Sequence, residues 1–548
     1  MIKHIRWPAL VAISGSFLGI CLLIFVAVAV GSEVRPSSGG TYIEGVSGQP
    51  ISINPLFCHF NDVDKDLVAL IFSGLTKLNE NGEVIPDLAE SWEISPDGRE
   101  YTFHLRNGVQ WHDGWPFTAD DVLFTVEAIR DPDFPGVPDF ALLWKGVSAK
   151  KVDDYTVTFT LESAYAPFLA YTTLGILPSH SLGNTPIKEL ADSPFNVSPV
   201  GTGPFKLKEA TVKGVLLESN QDYFLTKPYL SNIEFKFYPD YQTGLSALRR
   251  KEIHGQLLYP VVNREELTEL RKNKDVIIYT ASRASYAVIY LNTNVLLFQD
   301  KAVRQALLYY LDRKKIITDP LAGQGLIANS PIVSATWAYD SQVKKYDYDP
   351  DKANSLLEGA GWRRGDSGIW EKGGVQFRFS LLTNNDAARV AVAEEVVRQL
   401  RKAGIAAELS TSGSSSLLQR FLLPRNYEAI LYGWDTGYDP DGYPAWHSSQ
   451  IGEDGFNLAG FSNGRADELL EKGRQATDEA ERVRLYGEFQ TLFAEEVPSL
   501  LLYYPIYTYA IDEVVNGVRL GVLFEPSSRF SNVTEWYMKT KRVWFKGG

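Results

Sequence analysis

Apolar and polar residues alternate with period two in several segments. In "REYTFHLRNG" (99–108) Tyr101, Phe103 and Leu105 face one way. In "YTVTFTLE" (155–162) Tyr155, Val157, Phe159 and Leu161 do the same, and in "NIEFKFYP" (232–239) Ile233, Phe235 and Phe237. These segments read as half-buried strands. Helical spacing dominates later. Val303, Ala306, Leu307, Tyr310 and Leu311 form a stripe in "KAVRQALLYYLDRKKII" (301–317). Val390, Ala393, Val397 and Leu400 form another, stopped by Gly404 at a C-cap. A third stripe carries Val483, Tyr486, Phe489 and Phe493 behind Asp478, which has Glu481 three residues on. Interleaved strands and helices predict a mixed α/β chain. No fixed-period repeat interrupts it, and "STSGSSS" (410–416) reads as a polar loop.

One segment fits neither period. "WPALVAISGSFLGICLLIFVAVAVG" (7–31) has no formal charge and follows Lys3, His4 and Arg6. A run of about 20 apolar residues can span a bilayer, and cationic flanks keep their side in the cytoplasm. Residues 1–6 are therefore read as a cytoplasmic tail and 7–31 as a membrane anchor. The other reading is a cleaved signal peptide, because Ala27-Val28-Ala29 offers a small-x-small site. Both put the body outside the cytoplasmic membrane, in a periplasm or at the cell surface. Residues 32–40, with "SSGG" at their end, read as a flexible linker.

Length and composition narrow the function. A chain of 548 residues exceeds one hydrophobic core, so at least two domains are expected. A net charge of −13 argues against nucleic acid. Two cysteines, Cys21 and Cys58, exclude a disulfide scaffold and a thiolate zinc site. There is no H-E-x-x-H, no G-x-S-x-G and no Walker A sequence, so neither metal nor cofactor is expected. "NGVQWHDGWPFTADDV" (107–122) sets His112 and Asp113 between two tryptophans, as an active site would. Thr118 and Asp121, however, have capping-box spacing, with Phe117 and Val122 as a hydrophobic staple. Asp113-Gly114 is turn chemistry. The stretch reads as a strand–turn–helix junction. "PVGTGPFKL" (199–207) reads as a tight turn, since Pro204 leaves no helix to cradle a phosphate. Asp439 and Asp441 could serve a glycosidase, but such pairs are common in a chain with 67 acidic residues.

"LAESWEISPDGREYTFHLRNGVQWHDGWPFTADDVLFTVE" (88–127) closely resembles the family 5 solute-binding proteins of ABC importers, the dipeptide- and oligopeptide-binding group. "YLNTNVLLFQDKAVRQALLYYLDRKKII" (290–317), "YDYDPDKANSLLEGAGW" (346–362) and "LYGWDTGYDPDG" (431–442) continue the likeness in order, over about residues 41–548. It implies a two-lobed α/β fold like that of periplasmic binding proteins (type II, cluster C), with an extra subdomain in lobe I. Lobe I would span 41–284 and return at 508–548, and lobe II would span 285–507. Solute would be enclosed between the lobes and delivered to ABC permease subunits with their ATPase. The protein would be a membrane-tethered monomer and not an enzyme.

The same resemblance implies the site. Peptide binders carry an aspartate three residues beyond the tryptophan of Gly-Trp, paired with the peptide's α-ammonium. Here that position is Gly437, and the acid is displaced to Asp435 or Asp439. Trp434 and Tyr438 offer flat apolar faces, and Asn384 and His59 complete the candidate set. The expected ligand is a small peptide. The alternatives are an oligosaccharide or other small solute on the same fold, and, in another class, a secreted carbohydrate-active hydrolase.

Overall fold

The computed structural model describes Ser14 and residues 32–258, 264–452 and 455–544. The expected anchor or signal peptide, residues 7–31, lies outside the described residues except for Ser14. Among the described residues no helix is long and apolar enough to cross a membrane.

One strand organises the molecule. Ser499–Asp512 is 14 residues long and almost wholly buried, as its apolar run "SLLLYYPIYTYAID" requires. Its first half pairs with Ser285–Leu291, which pairs in turn with Ala429–Asp435. Arg378–Asn384 and Ala406–Ser412 extend that side in parallel. Its second half pairs with Gly255–Leu258 and Val276–Ser282. Thr41–Ser47 and Asn232–Tyr238 follow in parallel, then the antiparallel Gly214–Ser219 and Phe205–Thr211. A core around Tyr42, Phe103, Phe159, Phe235, Tyr509 and Trp536 fills one lobe. Two cores drawn from residues 286–504 fill the other. The architecture is the expected two-lobed α/β one.

In the first lobe the alternating segments form a four-stranded antiparallel sheet. Its order is Ala89–Ile94, Glu100–Leu105, Thr156–Leu161, Val147–Asp153. Tyr101, Phe103, Val157 and Phe159 are its buried face, where Phe103 and Phe159 meet edge to face with centroids 5.5 Å apart. That geometry adds to the burial itself. A buried ionic knot ties the lobe's ends together. Arg529 donates to Glu44 at 2.9 Å and to Asp66 at 2.5 Å, and Tyr42 and Tyr509 donate to Glu44. Burial pushes the Asp66 carboxyl up to about 6, and removing either kind of partner would strand a charge in the core.

Four local expectations need correction. Residues 32–37 are not a loose linker: Ser32–Ser37 pairs in register with Lys539–Trp544. The "STSGSSS" stretch is the end of Ala406–Ser412 and the helix Ser414–Leu417, because parallel pairing with Arg378–Asn384 overrides its polar composition. Val483 is 41 % exposed: the helix Glu479–Glu496 buries Tyr486, Phe489 and Phe493 as expected but turns Leu485 inward in place of Val483. The helix at Lys301 stops at Tyr310, and a second, Arg313–Thr318, starts with Asp312 accepting from the Lys315 N–H.

Candidate ligand-binding cleft

The histidine of "WHDGW" is spent inside the fold. Its Nε2 donates to the Gly203 carbonyl at 3.0 Å, and Nδ1 accepts the Gly201 N–H at 3.2 Å. Burial lowers its pKa to about 4, so it is a neutral imidazole. Asp121, 2 % exposed, accepts from the Thr118 N–H, the Trp111 indole, and both the N–H and hydroxyl of Ser179. Thr118 returns a bond to the helix Ala119–Arg130, completing the capping box. Asp113 pairs with His180 at 2.8 Å, under the ring of Trp115. "GTG" is a close approach: Gly203 donates to the Ile71 carbonyl at 2.8 Å, and a Cβ on Gly201 would lie 1.9 Å from that oxygen.

The strand Ala429–Asp435 delivers the second constellation. Thr436 is held by the Ala284 carbonyl, which accepts from its N–H at 2.9 Å and its hydroxyl at 3.1 Å. Gly437 follows at φ +72°, a left-handed conformation that bends the chain toward the first lobe. Tyr438 then comes close to Glu525 and packs on Phe524, 5.8 Å between centroids. Burial and that carboxylate push its hydroxyl well above the usual tyrosine range. His59 shares Glu525 as an electrostatic neighbour, although burial holds its pKa below the usual value. Tyr438 of the second lobe and His59 of the first thus converge on one carboxylate, which Lys65 also pairs at 3.5 Å. Beside them lies a cavity of about 710 Å³ whose walls include Thr76, Asp87, Tyr223, Tyr438 and Glu525. That volume suits a ligand of several residues' size.

The other candidates are placed differently. Asp439 is bidentate with Arg482, at 2.6 and 2.9 Å, and Asp441 pairs with Arg474 at 2.7 Å. Both carboxylates are thereby committed to the second lobe. Arg474 also reaches the first lobe: its carbonyl accepts the Ala166 N–H at 2.8 Å, and its guanidinium lies 5.2 Å from the Tyr165 ring. Asp435 is 70 % exposed and pairs with Arg283 at 2.9 Å. Trp434 is half-buried against Phe456. Asn384 is 7 % exposed at the end of its strand; its Nδ2 donates to Ser414 at 3.3 Å and its Oδ1 has no hydrogen-bond partner.

Two residues escape sequence reasoning. Glu525 sits far along the chain, with no local signal of its partner. Arg389 looks like an ordinary first-turn cation of the helix Ala387–Lys402. Its guanidinium instead lies 4.9 Å from the Tyr432 ring, and a Cβ on Gly433 would be 3.7 Å from its Nη2. Parallel register (Leu382 opposite Ile430) brings Asn384 level with Tyr432. Among the described residues no carboxylate pairs with Arg389.

The family profile "Bacterial extracellular solute-binding proteins, family 5 Middle" matches residues 83–454. This chain belongs to family 5 of the bacterial extracellular solute-binding proteins. It is 33 % identical to the oligopeptide-binding protein AppA of Bacillus subtilis, over 94 % of this chain and 97 % of that one. It is 29 % identical to the dipeptide-binding protein of Escherichia coli, over 90 % and 94 %. The structure of B. subtilis AppA with a nonapeptide superposes with a TM-score of 0.67 at 32 % identity, covering 92 % of this chain and all of that one. As a family 5 member the protein binds a solute outside the cytoplasm and is not an enzyme.

Proposed function

We propose that this protein is the peptide-capturing component of an ABC importer. It acts as a monomer, tethered through residues 7–31, and delivers peptides to permease subunits driven by an ATPase. The observation that carries the reading is the pair of unspent groups at the carboxyl edge of the second lobe's strands. Among the described residues Arg389 has no carboxylate partner, and the buried Asn384 Oδ1 has no donor. A peptide's last residue offers both a carboxylate and an N–H. In open α/β sheets, ligands bind outside the carboxyl ends of the strands. The peptide names of the two relatives agree with this assignment.

Asp435 is the better partner for a peptide ammonium. Asp439 already holds two bonds from Arg482, whereas Asp435 is exposed and pairs with Arg283. Trp434, Gly437, Tyr438 and His59 then form walls around the chain of the ligand.

Calorimetry with end-blocked peptides tests the reading. C-terminal amidation should weaken binding about 10- to 100-fold, through the lost charge-assisted bonds, and Arg389→Ala should erase that difference. N-acetylation should weaken binding to the wild type but not to Asp435→Ala. Equal affinity for free and doubly blocked peptides would make a neutral solute the better ligand.

A further inference from the structure

We propose that the two-stranded ribbon of Ser32–Ser37 and Lys539–Trp544 is a contact surface for an anionic lipid bilayer. The proposal rests on reading residues 7–31 as a retained membrane span. The apolar run ends at Gly31, and the ribbon's first paired residue is Ser32, opposite Trp544. If the span is retained, only a few residues at most separate bilayer and ribbon.

Distances along the ribbon follow from its register. Arg542 stands opposite Val34 and Lys541 opposite Arg35, two and three residues from Ser32. At about 3.3 Å per residue these positions lie roughly 7 and 10 Å along the strand from where the chain leaves the membrane. The first is within, and the second close to, one Debye length of the headgroups, about 8 Å at physiological salt. Lys539, opposite Ser37, lies beyond it.

The charge is suited to the partner. The ribbon carries Arg35, Lys539, Lys541 and Arg542 against a single acid, Glu33, which is already bonded to Arg35. Lys539, Lys541 and Arg542 are exposed, as is Val34 at 61 %. This basic edge belongs to a chain of net charge −13. Its sequence order matters too. Basic residues just outside a span oppose its insertion when they lie within about 15–20 residues of it. Lys539, Lys541 and Arg542 come some five hundred residues later, and only folding brings them to the membrane.

The test uses the full chain in liposomes of phosphatidylcholine with and without phosphatidylglycerol. A donor dye at Thr540→Cys, in a Cys21→Ser background, reports energy transfer to acceptor-labelled headgroups. Cys58 is buried with its thiol pushed up to about 12, so it stays unlabelled. Each basic residue near an anionic surface favours contact about fivefold, so two should raise the ratio of docked to undocked orientations about 25-fold. High salt, or Lys541→Glu with Arg542→Glu, should abolish the gain. Equal transfer in both lipids, or transfer untouched by the double reversal, in protein that survives a carbonate wash would overturn the ribbon proposal alone. Protein lost in the carbonate wash would overturn the retained span and the ribbon proposal with it.

Discussion

The stretches 107–122 and 433–442 are built from the same residues: tryptophan, aspartate, glycine and proline at the end of a strand. In the first, His112, Asp113, Thr118 and Asp121 are each answered within the fold. Asp121 alone takes four hydrogen bonds, and His112 uses both ring nitrogens on backbone partners. In the second, Asp435 is mostly exposed, and nearby Asn384 keeps a buried oxygen without a donor. Composition does not separate scaffold from site. Satisfaction does: a group with all its partners holds the fold, and a group without them can hold a ligand.

The comparison can be broken in three places. The largest effect should come from Asp121→Ala, which takes the acceptor from two partly buried backbone N–H groups, a partly buried hydroxyl and a buried indole. It should cost about 3–5 kcal/mol in urea unfolding, and Asp435→Ala less than about 0.5. Comparable losses at both positions would erase the distinction. Next comes His112. Its folded-state pKa of about 4 is below the value of 6.5 expected when unfolded, so the unfolded chain takes up the proton first. Stability should therefore fall as pH drops from about 6.5 to 4, by about 2–3 kcal/mol, and level off below. Unfolding measured across that range should show the slope flattened in His112→Gln. The smallest effect should be Thr118→Ala, about 1 kcal/mol from the lost cap, with peptide affinity unchanged by calorimetry.

What could be read from sequence was local. The capping box at Thr118, the alternating faces of Tyr101 and Phe103, and the Asp478 cap all rest on residues within a turn or a strand of one another. The family blocks added the two-lobed plan. Long-range pairing stayed hidden. Nothing near Ser32 announces a partner at Trp544, so a strand read as a linker. Nothing near Glu525 announces Tyr438. Arg389 escaped because a cation on a helix's first turn usually means a solvated face. Its placement over Tyr432 depends on strand register that no periodicity reveals. Val483 misled because the helix Glu479–Glu496 is only weakly amphipathic, and arginine and glutamine share its buried side.

The strand Ser499–Asp512 has a consequence for how the molecule comes apart. It gives its first residues to one lobe's hydrogen bonds and its last to the other's, without a break between. Melting either lobe would strip the other of a central partner and bare a row of backbone groups that had no contact with water. The two lobes, though each has its own apolar core, are therefore expected to denature as one cooperative unit. Amide protons along this strand should exchange only through global opening, at the slow limit of the whole chain.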